Sequence, residues 1–172
     1  MKTSLIILAS GFSSRFHSNK LLHKINDKTL FEITYERRKF FDEVIVVTQY
    51  EQIKELAKEA KVIMNDHPEY GQGYSISLGI QKCDSDYCML MVSDMPYIKD
   101  ETIVKMLEIK DEQHVVIGCY QDILCNPMLI PKKYYSYLTN LKNDKGAKQV
   151  ITKLPCCIVN LSEQEFIDID VK

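Results

Sequence analysis

The sequence predicts an α/β fold, a three-layer sandwich around a mainly parallel mixed sheet. Apolar runs of strand length alternate with helix-length amphipathic segments along the 172 residues, which is the element order of an α/β domain. The runs are continuously apolar, as in strands covered on both faces of a parallel sheet. The chain contains no linker, repeat or low-complexity tract, so we expect a single domain over residues 1–172.

The first predicted strand, residues 5–9, runs directly into a polar loop. Further strands are predicted at residues 44–48, 62–64, 87–92, 115–120 and 127–130, with extended pieces at 156–161 and 166–169. Helices are predicted at residues 30–40, 51–61, 75–82, 101–109, 132–141 and 146–154. Thr29 and Glu32 have the spacing of a capping box at the start of the first helix. Asp100 is expected to cap the helix that follows Pro96.

The composition excludes several classes of protein. The formal net charge is -2, so no basic surface indicates binding to nucleic acid or to an anionic membrane. The six cysteines form no Cys-x-x-Cys pair and the four histidines lack ligand spacing, which argues against a zinc site. Most of the cysteines stand in apolar runs, as reduced thiols do in a cytosol. With no signal peptide in the sequence, we expect a cytoplasmic protein.

Ligands of open α/β sheets bind beyond the carboxyl ends of the strands, which directs attention to the loop after residues 5–9. Gly11 allows backbone N–H groups to face a ligand, and Arg15 and Lys20 add two cations, a combination suited to a phosphate chain. An ordinary strand–helix loop with solvated cations is the alternative. A second loop ends with small residues between Gly71 and Ser75, where a flat base could approach the backbone.

Carboxylates occupy two further ends of predicted strands. Asp94 follows residues 87–92, and Asp168 and Asp170 alternate in the tail, so that their side chains point the same way. Asp94 and Asp170 together could hold Mg²⁺, which takes few protein carboxylates and completes its shell with phosphate and water. The alternatives are a turn or helix-capping role for Asp94 before Pro96 and a solvated chain end at Asp170.

Three common catalytic motifs do not occur in the sequence. The absence of Gly-x-x-x-x-Gly-Lys-Ser/Thr excludes a P-loop kinase. Gly71 and Gly73 lack the third glycine of a dinucleotide-binding fingerprint and do not follow the first strand. No Gly-x-Ser-x-Gly elbow supports Ser-His-Asp hydrolysis.

Six motifs, in order along nearly the whole chain, resemble those of nucleotidyltransferases that modify the molybdenum cofactor. They are Leu8-Ala-Ser-Gly-Phe-Ser-Ser-Arg-Phe-His-Ser-Asn-Lys20, Gly71-x-x-x-Ser75-Ile-x-x-Gly79-Ile, Ser93-Asp94-Met-Pro96, Asn126-Pro127, Asn143-Asp144-Lys-Gly146-Ala147-Lys148 and Asp168-Ile-Asp170. The fifth and sixth are most similar to the cytidylyltransferase branch. That branch transfers CMP from CTP to the phosphate of molybdopterin and releases pyrophosphate.

The resemblance implies a nucleotide-diphospho-sugar-transferase-like fold, Mg²⁺ dependence and a set of site residues. The implied nucleotide-binding residues are Leu8, Ala9, Ser10, Gly11, Arg15, Lys20, Gly71 and Ser75. Arg15, Lys20 and Asp94 are the implied catalytic residues, Asp94 and Asp170 the metal ligands, and Asp144 and Lys148 lie on the acceptor side. Nucleoside triphosphate and molybdopterin are the implied partners, with a molybdoenzyme or its chaperone as a further one.

Departures from the family pattern leave other functions open. Ser10 replaces Ala or Gly at a position tied to the choice of base, Ser93 replaces Gly, and His17 replaces Gly. A GTP-using guanylyltransferase is therefore one alternative. The others are transfer to a sugar phosphate or methylerythritol phosphate, and a nucleotide-binding module without turnover.

Overall fold

The computed structural model describes residues 1–11, 19–142 and 145–169. Its strands are β1 (Thr3–Ala9), β2 (Lys24–Ile25), β3 (Lys28–Thr29), β4 (Glu43–Thr48), β5 (Lys61–Met64), β6 (Tyr87–Val92), β7 (Val115–Tyr120), β8 (Ile123–Pro131) and β9 (Cys156–Asn160). Its α-helices are α1 (Leu30–Tyr35), α2 (Glu51–Leu56), α3 (Gly71–Gln81), α4 (Asp100–Glu108) and α5 (Lys148–Ile151). Short 3₁₀ helices span Lys20–Leu22, Glu36–Phe40, Pro68–Tyr70 and Lys132–Tyr137.

Seven strands form one mixed sheet in the order β5-β4-β1-β6-β8-β7-β9. The β1, β4, β5 and β6 pairings are parallel, and so is the β7–β9 pairing, whereas β8 runs antiparallel to both β6 and β7. Every residue of β1 and of β6 is buried. Because successive side chains of a strand point to opposite faces, both faces of the sheet centre are covered. The predicted α/β class and mainly parallel sheet are confirmed.

Close packing holds α3 against the centre of the sheet. A Cβ atom added at Gly79 would lie 2.7 Å from Cγ2 of Ile6 in β1 and 3.3 Å from Cγ2 of Val47 in β4. No side chain fits at such a distance without moving its neighbours. The Gly79 of the second motif therefore has a packing role, and it brings the beginning of α3 close to the end of β1.

The structure corrects several predicted boundaries. The capping box is present, since Thr29 Oγ1 accepts from the Glu32 N–H and the Thr29 N–H donates to Glu32 Oε2. However, the predicted helix over residues 30–40 changes to 3₁₀ geometry after Tyr35. The helices predicted over residues 51–61 and 146–154 shrink to α2 and α5, and the one over 132–141 is a 3₁₀ helix. The segment at residues 166–169, predicted to be extended, begins in a turn and forms no strand.

The role predicted for Asp100 is also wrong. The residue that precedes α4 is Lys99, and Asp100 is the first residue inside the helix. Its carboxylate pairs with Lys39 Nζ at 2.5 Å and with Arg37 Nε at 3.8 Å. A negative charge in the first turn still stabilises a helix through the dipole, without capping it.

Candidate active site

A cavity of about 230 Å³ lies beyond the carboxyl ends of β1 and β6. These neighbouring parallel strands end at the same edge of the sheet, where open α/β folds bind their ligands. Seven residues singled out from the sequence line the cavity: Leu8, Ser10, Gly11, Lys20, Gly71, Ser75 and Asp94. Ala9 is buried at the end of β1. The predictions for Arg15, His17, Asp144 and Asp170 fall outside the described residues.

Three consecutive carbonyl groups at the end of β1 are held by three consecutive side chains at the end of β4. Thr48 Oγ1 donates to Ala9 O, Gln49 Nε2 donates to Ser10 O, and Tyr50 Oη donates to Gly11 O, each at 2.8 Å. The contacts follow from the parallel register, which sets Ala9 opposite Thr48. They fix the orientation of the peptide groups from which the phosphate-facing N–H groups are expected to come.

Gly11 gives that loop space rather than an unusual backbone conformation. Its φ is not in the left-handed region, and a Cβ placed on it would meet no atom within 4 Å among the described residues. The side-chain position therefore opens onto the cavity. A bound ligand could approach the backbone here, as expected of a glycine that faces a phosphate chain.

Two of the departures from the family pattern are buried at the floor of this cavity. Ser10 is 5% exposed and Ser93 is 1% exposed. Neither Oγ has a hydrogen-bond partner among the residues that the structure describes. A buried hydroxyl without a partner is costly, so these two atoms are available to a ligand or water after rotation about χ1.

Lys20 and Asp94 approach each other across the cavity. Lys20 begins a 3₁₀ helix whose start is fixed by Asn19, since Asn19 Oδ1 accepts from the Leu21 N–H, and Leu21 is buried. Lys20 Nζ lies 3.4 Å from Asp94 Oδ2, with the two side chains 15% and 37% exposed. Because α4 begins only at Asp100, Asp94 does not cap that helix. One cation and one carboxylate thus face the same space.

The rim opposite is the first turn of α3, which begins four residues earlier than predicted. Gly71 has φ 82°, a conformation that favours glycine. The sequence reasoning missed Asn65, which is buried and donates from Nδ2 to Ser75 Oγ at 3.1 Å. Asn65 Oδ1 also accepts from the His67 N–H at 2.9 Å. Its side chain therefore fixes both the turn and Ser75.

A second cavity, of about 250 Å³, lies on the other side of Asp94. Leu8, Gln72, Val92 and Asp94 line both cavities. The predicted acceptor-side residue Lys148 lines the second, together with Lys145, Phe166 and Asp168. Sequence reasoning did not assign Gln72, Lys145 or Phe166 to the site. Asp94 is the carboxylate at the junction, so groups bound in the two cavities would meet beside it.

The segment that carries Lys145 and Lys148 packs against α3 at Gly146. Gly146 is buried with φ 61°, and a Cβ on it would overlap Oε1 of Gln72. The backbone conformation therefore favours glycine, and any larger residue would also displace the end of the Gln72 side chain. Since Gln72 lines both cavities, this contact joins the first turn of α3 to the loop of the second cavity.

The carboxy-terminal segment is held in place by Glu165. This buried carboxylate accepts from the Lys99 N–H, the Thr102 hydroxyl, and both the N–H and the hydroxyl of Ser162. Burial raises its pKa, but the hydrogen bonds outweigh burial, and the net pKa of Glu165 is lowered. The Ile169 N–H then donates to Asp94 O at 2.8 Å. The segment up to Ile169 is thus anchored, and it brings Asp168 to the second cavity.

The sequence matches the family described as the MobA-like NTP transferase domain over residues 5–157. The chain belongs to this family. The resemblance inferred from the six motifs is therefore confirmed at the level of the family. Within the described residues, no helix has the length and apolar character needed to cross a lipid bilayer.

Several curated relatives carry the name probable molybdenum cofactor guanylyltransferase. The Geobacillus sp. protein is 30% identical over 123 residues, which are 69% of this chain and 63% of that protein. The Clostridium perfringens strain 13 protein is 29% identical over 135 residues, which are 77% of this chain and 67% of that protein. The match thus spans just under two thirds of the Geobacillus protein.

Solved structures share the fold over nearly the whole chain. Rv0371c from Mycobacterium tuberculosis has a TM-score of 0.87 at 20% identity. The match covers 98% of this chain and 92% of the Rv0371c chain. A nucleotidyl transferase from Methanothermobacter has a TM-score of 0.84 at 20% identity, covering 98% and 91%. A manganese complex of Rv0371c has a TM-score of 0.79 at 17% identity, covering 94% and 89%. At these identities the likeness shows the fold alone.

Proposed function

We propose that the protein transfers a nucleoside monophosphate from a nucleoside triphosphate to the phosphate of molybdopterin and releases pyrophosphate. The observation that carries this proposal is the junction at Asp94, where two cavities meet and Lys20 approaches the carboxylate to 3.4 Å. A transfer between two bound substrates needs such a junction. The family supports the nucleotidyl transfer, and the names of the curated relatives support the acceptor.

The chemistry needs charge control rather than a general base. An oxygen of the acceptor phosphate attacks the α-phosphorus, a new P–O bond forms, and the bond to the bridging oxygen breaks. Pyrophosphate leaves with the electron pair, and because the attacking phosphate is already anionic, no proton has to be removed. Lys20 neutralises part of the developing negative charge, and the loop at Ser10 and Gly11 orients the triphosphate.

A divalent cation at Asp94 fits the donor set. Asp94 and Asp168 line the same cavity, and carboxylate oxygens are the ligands of hard cations such as Mg²⁺ and Mn²⁺. The manganese complex of a structural neighbour supports a divalent metal, and we propose Mg²⁺ held by Asp94 and Asp170. When bound, the metal would neutralise the phosphate oxygens and orient them.

The second cavity has the character expected of a site for a phosphate attached to a flat ring. Lys145 and Lys148 are exposed cations at its edge, suited to a phosphate. Its other walls include Met95, Met128 and Phe166, which provide an apolar surface for a ring system.

For the donor, we propose GTP ahead of CTP. The branch inferred from the motifs favours CTP, whereas the Geobacillus and Clostridium perfringens relatives are named guanylyltransferases. Ser10 replaces the family residue at the position tied to base choice, and its hydroxyl has no partner among the described residues. The hydroxyl could bond to a base or to the ribose, and this does not by itself select either nucleotide.

The experiment is a pyrophosphate-release assay with GTP, CTP, ATP or UTP, with Mg²⁺ or Mn²⁺, and with molybdopterin or a sugar phosphate as acceptor. We expect pyrophosphate only with molybdopterin and fastest with GTP. Release with a sugar phosphate alone would refute the acceptor. A thermal shift with nucleotide but no release with any acceptor would identify a binding module without turnover.

A further inference from the structure

Three potential metal ligands converge at the edge of the sheet opposite to the cavities. Asp111 and His114 precede β7, and Cys157 lies in β9, the last strand of the sheet. The parallel pairing sets Val116 opposite Cys157. Since alternate residues of a strand share a face, His114 and Cys157 are diagonal neighbours on one face of the β7–β9 pair.

The side chains of the three residues are close enough to share an ion. One candidate ligand atom from each of Asp111, His114 and Cys157 lies within 4.8 Å of the others. His114 Nδ1 is 2.9 Å from Asp111 Oδ2, and the two side chains are 41% and 46% exposed. Asp111 Oδ1 is fixed in turn by the N–H groups of Gln113 and His114. The carboxylate is therefore oriented by the backbone before any ion binds.

We propose that Asp111, His114 and Cys157 form a binding site for a borderline-soft divalent cation, with Zn²⁺ as the best match. Sulfur, imidazole nitrogen and carboxylate oxygen are the ligand types of zinc, whereas Mg²⁺ and Ca²⁺ avoid sulfur. Ligand atoms of a tetrahedral zinc ion are roughly 3.5 Å apart. The candidate ligand atoms, which lie within 4.8 Å of one another, are thus already near this spacing, and solvent supplies the fourth ligand.

This site is separate from the cavities at Asp94. β7 runs parallel to β6, because β8 is antiparallel to both. His114 stands before β7, whereas Asp94 stands after β6, so the two sites lie at opposite edges of the sheet. Six residues of strand span about 20 Å. The proposal does not depend on the reaction proposed above.

Metal binding here would link β9, which carries Cys157, to the loop before β7, which carries Asp111 and His114. The ligands come from two segments that only the fold brings together, so binding stabilises the folded state by linkage. β9 also leads into the segment whose Ile169 N–H donates to Asp94 O. Zn²⁺ at this edge is therefore expected to raise the thermal midpoint without entering the reaction.

Cobalt is the probe for the test, because a Co²⁺–thiolate bond gives a near-ultraviolet charge-transfer band that carboxylates and imidazoles do not give. The full chain is titrated with Co²⁺, and Zn²⁺ is then added to displace it. We expect the band in the wild type and in Asp94→Asn. We expect its loss in Cys157→Ser and about 10–100-fold weaker binding in Asp111→Asn.

Cys156→Ser is the matched control. Cys156 is adjacent, but its Sγ contacts Ile151 O at 3.5 Å and Leu154 O at 3.3 Å instead of His114. The band should survive in this variant. If Cys157→Ser fails to fold by circular dichroism, His114→Asn replaces it with the same expectation. Absence of a band in the wild type, or a band retained in every variant of the three residues, would overturn the proposal.

Discussion

β1 and the segment from Ser162 to Ile169 both lie near Asp94, but different contacts hold each of them in place. β1 lies in the middle of the sheet, fully buried, with parallel partners on both sides. The segment from Ser162 to Ile169 forms no strand. Its contacts include the Glu165 carboxylate, the ring of Phe166 stacked on Tyr120, and the hydrogen bond from the Ile169 N–H to Asp94 O. β1 is fixed by the hydrogen bonds of the sheet, whereas this segment is fixed outside it.

This difference separates two tasks. The first cavity is lined in part by the end of β1, which belongs to the buried centre of the sheet. The segment that leads to the proposed metal ligand Asp170 can loosen while the sheet stays folded, since local unfolding follows the regions with few buried contacts. Variants at the two ends should therefore damage different properties.

The largest effect is expected at the junction itself. Asp94→Asn keeps the shape of the side chain and removes its charge, and Lys20→Ala removes the cation 3.4 Å away. Each should lower turnover by about 100-fold or more, the typical effect of losing one charge-stabilising group. Pyrophosphate release at saturating substrates measures it. Asp84→Asn, at a fully exposed carboxylate, is the control; activity of both variants near the wild-type level would remove the assignment.

The next effect tests the attachment of the carboxy-terminal segment. Glu165→Gln removes a buried charge that four donors satisfy, which should cost about 1–3 kcal/mol of unfolding free energy at pH 7. The exposed neighbour Glu163→Gln is the control. If the segment unfolds independently of the sheet, activity should fall further than the loss of global unfolding free energy alone would predict.

The stability difference between wild type and this variant depends on pH, because the pKa of Glu165 is lowered in the folded protein. A carboxylate with a depressed pKa stabilises the fold above its unfolded pKa, about 4.3, and this contribution is lost as the pH falls through the folded value. The stability difference between wild type and Glu165→Gln should be full at pH 7 and shrink below about pH 4. Urea unfolding at pH 7 and at pH 3.5 measures it; a difference that grows on acidification contradicts the assignment.

A smaller effect should separate the two cavities. Gly146→Ala places a Cβ against Gln72 at a φ of 61°, which costs about 1–2 kcal/mol for an L-residue. The strain displaces the segment that carries Lys145 and Lys148, which is proposed to bind the acceptor. The KM for the acceptor should therefore rise about 10-fold. The affinity for nucleotide, measured by calorimetry, should change less. Equal losses for both substrates would show that the cavities are not independent.

The lining of the first cavity could largely be predicted from the sequence, because its signals are local. The apolar run into Gly11, the small residues at Gly71 to Ser75, and Asp94 after a strand each belong to one short stretch, and the structure brings them together. The α/β class follows from the alternation of strands and helices along the chain. The predicted helix lengths were wrong. Residues 57–60 turn to enter β5, so α2 is shorter than the helix predicted over residues 51–61.

The remainder depends on contacts between distant segments, which a pattern does not encode. The bonds from Thr48, Gln49 and Tyr50 to the end of β1 require the register of two strands. Ser162 and Glu165 have the spacing of a capping box, and Glu165 does accept from the Ser162 N–H. Its bonds to Lys99 and Thr102 at the start of α4 join distant segments and have no characteristic spacing.

The smallest effect concerns the hydrogen bonds that orient the donor loop. Tyr50→Phe removes the donor to Gly11 O and leaves the ring, and Gln49→Ala removes the donor to Ser10 O. One such bond contributes about 0.5–1.5 kcal/mol, so each variant should raise the KM for nucleotide about 2–10-fold. The kcat should stay nearly constant if these side chains position the loop without touching the reacting atoms. Tyr137→Phe, at an exposed ring, should leave both parameters unchanged. A fall in kcat at constant KM would instead place Gln49 or Tyr50 in the reaction. The contrast between the loop after β1, positioned by the sheet, and the segment that leads to Asp170 would then no longer hold.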